Sequence, residues 1–218
     1  LPDLRGLASG DGHSCAIALD GAVRCWRRNT HGAASPPVLS ASRLAVGYDE
    51  TCALDNRSFA RCWGGNPAVS QAPLALYTDL SFQFFHACAV RTDRTVACWG
   101  ANESGQIDAP PDTTFVQVTA GVAHSCARKL DGSIVCWGDD AHGQGAVPAG
   151  GPWTDVAAAE TYTCAIGPAG AVSCWGELDQ PPPPGPFRKL YTGPQLTCGI
   201  RLDDTAACWG QSAAAAPH

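Results

Sequence analysis

The twelve cysteines are the residues of this chain with the most chemistry to offer. They fall in six pairs, Cys15/Cys25, Cys52/Cys62, Cys88/Cys98, Cys126/Cys136, Cys164/Cys174 and Cys198/Cys208, each ten residues apart. Zinc sites favour cysteines two to four residues apart, and no CxxC occurs, so metal is the poorer use. An even count in 218 residues points to disulfides and an oxidising compartment. A separation of ten makes a hairpin symmetric about one residue, so its loop is odd-numbered. In HSCARKLDGSIVCWG (124–138) that loop is Leu130-Asp131-Gly132, with Gly132 at the left-handed position of a three-residue turn. Cys126 then faces Cys136 across two antiparallel strands, at a Cα separation of about 4.5 Å. Each bridge closes its loop for roughly 2.5 to 3 kcal/mol on chain-entropy grounds.

The other reactive side chains assemble no catalytic pattern. GxSxG, HExxH and phosphate-cradling glycine loops are absent. Of the six histidines, His13, His86 and His124 each stand two residues before a first cysteine, a repeat position that reads as structural; the rest are His31, His142 and His218. Asp20, Asp93, Asp131 and Asp203 sit at hairpin tips, where they form turns. Asp139-Asp140 beside His142 suggests a cation site but reads better as a solvated loop. No catalytic residue, cofactor or metal ligand is assigned. Arg27-Arg28 replaces a glycine found after the tryptophan of the other five Cys-Trp pairs and puts two cations on a connecting loop, a candidate for partner contact. Two sequons, Asn56-Arg57-Ser58 and Asn102-Glu103-Ser104, are candidate glycosylation sites. Asn56 lies at a hairpin tip, whereas Asn102 lies in a turn that engages its side chain. Pro181–Pro184 reads as polyproline II: a loop stiffener, a partner-binding strip or a hydroxylation site.

The elements that position these residues repeat. First cysteines recur at intervals of 37, 36, 38, 38 and 34 residues, a period that marks a propeller, solenoid or array. Eight residues before each stands Leu7, Leu44, Leu80, Val118, Val156 or Leu190, and eleven before stand Leu4, Ala41, Tyr77, Phe115, Trp153 and Phe187. A small residue follows each first cysteine, and a tryptophan follows each second one: Trp26, Trp63, Trp99, Trp137, Trp175 and Trp209. Each unit is therefore one strand followed by a hairpin, then a polar, Pro-bearing connection. Helical periodicity is absent, and short evenly spaced strands are an all-β signature. Strand alternation puts Ala127 and Trp137 on one face and Cys126 on the other, so the tryptophans read as packing between successive sheets rather than as exposed sugar platforms.

Residues 1–218 read as a single domain, an all-β propeller of six repeats with one disulfide per hairpin. The 20 residues after Cys198 and the 15 up to Cys15 together make 35, inside the observed range of intervals. That favours a closed six-bladed ring cut in a connection; an open solenoid would have polar capping units. Apolar content of 45% with 16% charge suits a packed globule, and no window reaches the roughly 18 to 20 apolar residues of a membrane helix. A net charge of −6 disfavours nucleic acid and anionic membrane as partners. With no initiator Met, Leu1 follows a processing site or lies within a longer chain.

GVAHSCARKLDGSIVCWGDDAHGQ (121–144) resembles the repeat of the regulator-of-chromosome-condensation superfamily. The paired cysteines and CWG resemble the crinkly repeats of plant receptor-kinase ectodomains. The resemblance covers the whole chain and implies a propeller with blades of about four strands and ligands bound across the loops of one face. Asn102/Gly105/Gln106 and Asp140/Gly143/Gln144 match the NxxGQ-like turn, Asn29/Gly32 match in part, and the fifth and sixth units do not. Relatives typically have seven repeats where this chain has six, and the acidic balance and disulfides argue against nuclear roles. The expected function is a non-catalytic, secreted or cell-surface module that binds a protein or peptide, or builds a larger extracellular assembly. A lectin-like carbohydrate binder is the alternative, disfavoured because the connections RRNTHGAASPP, GNPAVSQAP and ANESGQIDAPP differ too much for repeated sites. A hydrolase inhibitor rests on fold analogy alone, because a bacterial β-lactamase inhibitory protein shares the superfamily's fold.

Overall fold

The computed structural model describes residues 4–65, 70–193 and 195–210. Within them, six three-stranded antiparallel sheets follow one another along the chain, each built from consecutive strands. The first holds β1 (Leu4–Ser9), β2 (His13–Ala18) and β3 (Val23–Arg27); the second, β4 (Ala41–Val46), β5 (Glu50–Asp55) and β6 (Ala60–Gly64). The third holds β7 (Tyr77–Gln83), β8 (His86–Arg91) and β9 (Val96–Gly100); the fourth, β10 (Phe115–Ala120), β11 (His124–Lys129) and β12 (Ile134–Gly138). The fifth holds β13 (Asp155–Ala158), β14 (Tyr162–Ile166) and β15 (Val172–Gly176); the sixth, β16 (Phe187–Thr192), β17 (Leu196–Arg201) and β18 (Ala206–Gly210). Three strands per sheet replace the four that the resemblance implied. Isolated bridges at Ala22–Ser40 and Phe59–Leu76 mark where a fourth strand would pair. The nearby prolines, Pro36, Pro37 and Pro73, lack the N–H that a longer ladder needs.

The hairpins have the expected register. Cys126 pairs with Cys136 and Ser125 with Trp137. The Lys129 N–H donates to the Ser133 carbonyl, so alternation leaves Cys126 and Cys136 at a non-hydrogen-bonded position. All six cysteine pairs are disulfides within their own hairpins. Cys15 is bonded to Cys25, Cys52 to Cys62 and Cys88 to Cys98. Cys126 is bonded to Cys136, Cys164 to Cys174 and Cys198 to Cys208. Their Cα separations, 4.0–4.1 Å, are shorter than the spacing expected of an unbridged facing pair, because the bridge draws the two strands together. The two members of a bridge differ in environment. Cys15, Cys52, Cys88, Cys126 and Cys164, on the middle strands, are buried. Cys25, Cys62, Cys98, Cys136, Cys174 and Cys208, on the outer strands, are only half-buried, because the outer strand has a neighbour on one side alone.

The third loop residue is left-handed in every copy: Gly21, Gly132 and Gly170 have φ of 89°, 83° and 78°, and Ser58, Arg94 and Asp204 have 67°, 68° and 67°. Side chains at those last three positions strain the backbone. Arg94→Gly is therefore expected to raise stability by about 1 kcal/mol in urea unfolding. Gly132→Ala should lower it, because the added Cβ would sit 2.6 Å from Pro152 Cβ. At the tips the Asp20, Asp93, Asp131 and Asp203 carboxylates each accept the backbone N–H two residues on.

Successive sheets pack face to face, the cysteine face of one on the alanine-and-tryptophan face of the next. Cys88, Val90 and Val96 of the third sheet, with Cys98 beside them, meet Phe115, Val118, Ala127 and Trp137 of the fourth. Cys126 and Ile134 meet Trp153, Val156, Ala165 and Trp175 in the same way. Equivalent clusters join the first sheet to the second, the second to the third and the fifth to the sixth; Cys62 flanks one of them and Cys174 another. Trp63, Trp99, Trp137, Trp175 and Trp209 are packing residues in these clusters, as their register implied, whereas Trp26 joins none of them. The closed-ring expectation concerns the sixth-to-first junction, which is flanked by residues 1–3 and 211–218, outside the described residues. On that side Leu7 is 60% and Trp26 38% exposed, against 2–6% for Leu80, Val118, Val156 and Leu190.

A polar relay runs through the junctions. His86 Nε2 lies 2.9 Å from Ser125 Oγ of the next sheet, and that hydroxyl donates to the Gln106 carbonyl of the intervening connection. The carbonyl also accepts Trp137 Nε1–H at 2.9 Å. The relay recurs as His124–Thr163–Gln144–Trp175 and His13–Thr51–Ala33–Trp63. Since each hydroxyl donates to a carbonyl, it must accept from histidine, so Nε2 carries the proton. At the sixth tryptophan Pro181–Pro184 replaces the glutamine turn, and the buried Trp209 Nε1–H has no acceptor among the described residues.

Burial takes His86 and His124 down to about 4, with the neighbouring His124 adding to the effect on His86, and it lowers His13 against the pull of Asp49. These folded-state values lie below that of a free histidine, so the unfolded chain binds more protons between pH ~6.5 and ~4. Stability from these groups is complete above pH ~6.5 and falls as pH drops through that window. Urea unfolding at pH 7 and 4.5 should show a loss on the order of 3 kcal/mol, and less in His124→Gln.

Candidate functional site

The clearest local departure from the repeat lies where the first strand of a unit turns into the second. At the position five residues before the first cysteine stand Gly10, Gly47, Gly121, Ala159 and Gly193, but the third unit has Gln83. The small residue has a packing reason: a Cβ on Gly10 would sit 1.9 Å from the Gly47 carbonyl oxygen, and one on Gly121 would sit 2.4 Å from that of Ala159. In the third unit Gln83 instead extends β7 to pair with His86, leaving Phe84-Phe85 as a two-residue turn. Phe84 is held at φ 53°, a conformation such turns usually give to Gly or Asn.

This turn builds an aromatic surface with its neighbour in the second unit. The ring centroid of Tyr48 lies 5.7 Å from Phe84 and 6.0 Å from Phe85, and the two phenylalanines meet edge to face at 5.3 Å. Phe85 is 43% exposed. The Arg28 guanidinium stands 5.2 Å from the Tyr48 centroid, with its Nε 3.8 Å from Asp49. Beside the rings is a small open depression of about 20 Å3 whose lining includes Ser9, Asp11, Tyr48, Gln83, Phe84 and Thr192. Gln83 is 7% exposed, and its Nε2 has no hydrogen-bond partner among the described residues.

Of the two cations singled out from sequence, Arg28 joins this surface and Arg27 does not. Arg27 is left-handed, φ 78°, at the position where Gly64, Gly100, Gly138, Gly176 and Gly210 are also left-handed. At those glycines a Cβ would approach a backbone oxygen of the facing loop to 2.3–2.7 Å; in the first unit that loop residue is Gly12. Asn56 is exposed at its hairpin tip. Asn102 is tied into its turn, its Oδ1 accepting from Ile107 N and its Nδ2 donating to Asp108. A eukaryotic secretory host should therefore add a glycan at Asn56 in preference to Asn102, read as a mass increment lost in Asn56→Gln.

The carboxylates near His142 do not converge. Asp139 accepts from Gln144, Asp140 accepts from Gly145 N, and His142 faces Glu177 at 2.6 Å. Among the described residues no group of three or more His, Cys, Asp or Glu is placed to hold a metal ion.

Two features went unread in the sequence. One is the Gln83-Phe84-Phe85 substitution, visible once the units are aligned at the glycine. The other is a polar belt nine residues before the first cysteine: Arg43, Asp79, Gln117, Asp155 and Lys189. Arg43 pairs with Asp79 at 2.6 Å, and Asp79 also accepts from Val118 N. Burial raises Asp79 above the usual carboxylate value against the opposing pull of Arg43. Asp155 accepts from Gln117 at 2.5 Å and from Lys189 and Leu190 N, each at 2.7 Å.

Residues 80–106 and 115–144 match the family described as Regulator of chromosome condensation (RCC1) repeat. These two segments are similar to RCC1-type repeats. The same architecture occurs in the ectodomain of the Physcomitrella patens receptor kinase CR4, at 29% identity and a TM-score of 0.85 over 95% of this chain and 61% of that one. This chain thus spans about three-fifths of the moss ectodomain. It also matches the crinkly ectodomain of the Arabidopsis thaliana receptor kinase ACR4, at 27% identity and a TM-score of 0.83 over 100% of this chain and 85% of that one. Prp20p from Saccharomyces cerevisiae, 15% identical with a TM-score of 0.80 over 94% of this chain and 71% of that one, shares the fold. The six disulfides accord with the cysteine-bearing version of the RCC1 repeat. No helix among the described residues is long and apolar enough to cross a membrane.

Proposed function

We propose that this RCC1-type propeller is a non-catalytic, secreted or cell-surface module that binds a protein or peptide partner. The binding surface is the loop face carrying Tyr48, Phe84, Phe85 and Arg28. The observation that carries this reading is a surface three-ring cluster, Phe85 exposed and Tyr48 and Phe84 half-buried, built once among the described residues, on two adjacent units, by residues that break the repeat. A repeated ligand would need the cluster in every unit; a single partner needs it once. Aromatic residues and arginine are also the types enriched at the energetic centres of protein interfaces. The ectodomain relatives support the extracellular part of the reading, as does the disulfide content.

Selection of a phage-displayed random peptide library on the oxidised protein tests it. Enriched peptides should lose binding at least tenfold to Tyr48→Ser and Phe85→Ser, and keep it against Leu130→Ser at a distant hairpin tip. Peptides indifferent to both aromatic substitutions would overturn this site. Strong binding on a glycan array, unchanged in both variants, would favour the carbohydrate reading.

A further inference from the structure

We infer that the depression beside Tyr48 and Phe84 is a subsite for the backbone of an extended peptide, with Gln83 donating to a main-chain carbonyl. This rests on the interaction reading above and adds the chemistry of what is bound. The donor is Gln83 Nε2, more than nine-tenths buried, with no acceptor among the described residues and lining the depression. A buried donor left unpaired is costly, so a ligand that supplies an oxygen recovers that energy on binding. The sequence accepts a second cost at the same place. Gln83 replaces the small residue found in the other five units, and the turn it creates forces Phe84 to φ 53°. The hairpin pairing does not require this, because the other units make the same crossing with glycine or alanine. Strain concentrated with an orphaned donor is the pattern of a binding site.

The surrounding charge selects the acceptor. Asp11 lines the depression, and Asp49, next in the chain to the lining residue Tyr48, is partly balanced by the Arg28 guanidinium at 3.8 Å. A ligand carboxylate would face Asp11, whereas a neutral carbonyl would not. The adjoining rings of Tyr48, Phe84 and Phe85 then take the flanking side chain, which should be aromatic or aliphatic. The ligand class is accordingly a neutral, extended peptide segment with an apolar residue next to the carbonyl that Gln83 binds.

N-acetyl-phenylalanine N-methylamide is the minimal probe, titrated into the 15N-labelled, oxidised protein. The Gln83 side-chain amide resonances should shift saturably. The free acid, N-acetyl-phenylalanine, should bind at least threefold more weakly at pH 7. Gln83→Glu, whose carboxylate cannot donate, and Gln83→Ala should each weaken the amide probe about tenfold, as should Phe85→Ser. Six intact disulfides by mass and an unchanged thermal midpoint establish that each variant is folded; Phe85→Ser, at an exposed residue, serves if the Gln83 variants are not. Binding unchanged in a folded Gln83→Glu but lost in Phe85→Ser would overturn the Gln83 assignment and leave the aromatic surface standing. Binding unchanged in every variant, or no saturable shift at Gln83, would overturn both for this probe class.

Discussion

Reduction of the six disulfides is expected to unfold the chain at 25 °C without denaturant. Each bridge closes a short hairpin loop, and the chain-entropy estimate for that size is roughly 2.5 to 3 kcal/mol, an upper figure where the denatured hairpin keeps structure. Six such contributions are comparable with the whole stability of an ordinary domain, about 5–15 kcal/mol. The sheets have only three strands each, and two isolated bridges stand where a fourth would pair. Hairpins of this size hold poorly without a packed face, and the faces here are packed by the cystines themselves: Cys15, Cys52, Cys88, Cys126 and Cys164 are all 0% exposed. Their partners Cys25, Cys62, Cys98, Cys136 and Cys174 are half-buried, as is Cys208, so a small reductant can reach each bridge from the outer strand. Loss of the far-UV β signal and of the cooperative melt on adding a phosphine reductant is the expected result. The paired substitution Cys126→Ala/Cys136→Ala should cost about 2 to 3 kcal/mol and leave the fold intact.

Asp155→Ala is expected to be the most damaging single polar substitution, costing about 3 to 4 kcal/mol in urea unfolding. Its carboxylate is 5% exposed and accepts from three donors on two neighbouring sheets. Removing it strands the Leu190 N–H and the Lys189 ammonium together, while the Gln117 amide keeps its bond to the Val156 carbonyl. Lys189 is 39% exposed on its side chain, so water relieves part of its charge and holds the loss below that of a fully buried ion. Lys189→Met in the Asp155→Ala background should recover part of the loss, because the two act as one unit. By contrast, Asp204→Ala, whose carboxylate pairs with Arg188 at 80% exposure, should change stability by less than about 0.5 kcal/mol in that measurement.

The scaffold was legible because its signals are periodic. Six copies of a ten-residue cysteine spacing specify the hairpin symmetry, the loop length and the face of Trp137 at once, and Cys126 indeed faces Cys136. Strand number was overestimated, since the implied fourth strand depends on connections whose prolines cut the ladder short. The site was harder to read because it is an exception to the period. Arg27-Arg28 stood out as charges replacing a glycine, yet only Arg28 stacks on Tyr48. SFQFFH in the third unit reads as one more apolar strand end until Gln83 is set against Gly10, Gly47, Gly121 and Gly193. The polar belt escaped for a different reason. Arg43, Asp79, Gln117, Asp155 and Lys189 share a position but not one residue type or charge, and their complementarity appears only when neighbouring sheets are brought together.

The central claim is that this repeated scaffold carries one non-repeated, partner-binding surface at Tyr48, Phe84 and Phe85. Isothermal titration of the oxidised protein with the tightest peptide from the library selection tests it most directly. A stoichiometry of one peptide per chain, with affinity reduced at least tenfold by Phe85→Ser, is the predicted result. A stoichiometry near the number of repeats, or an affinity indifferent to Phe85→Ser, would contradict it.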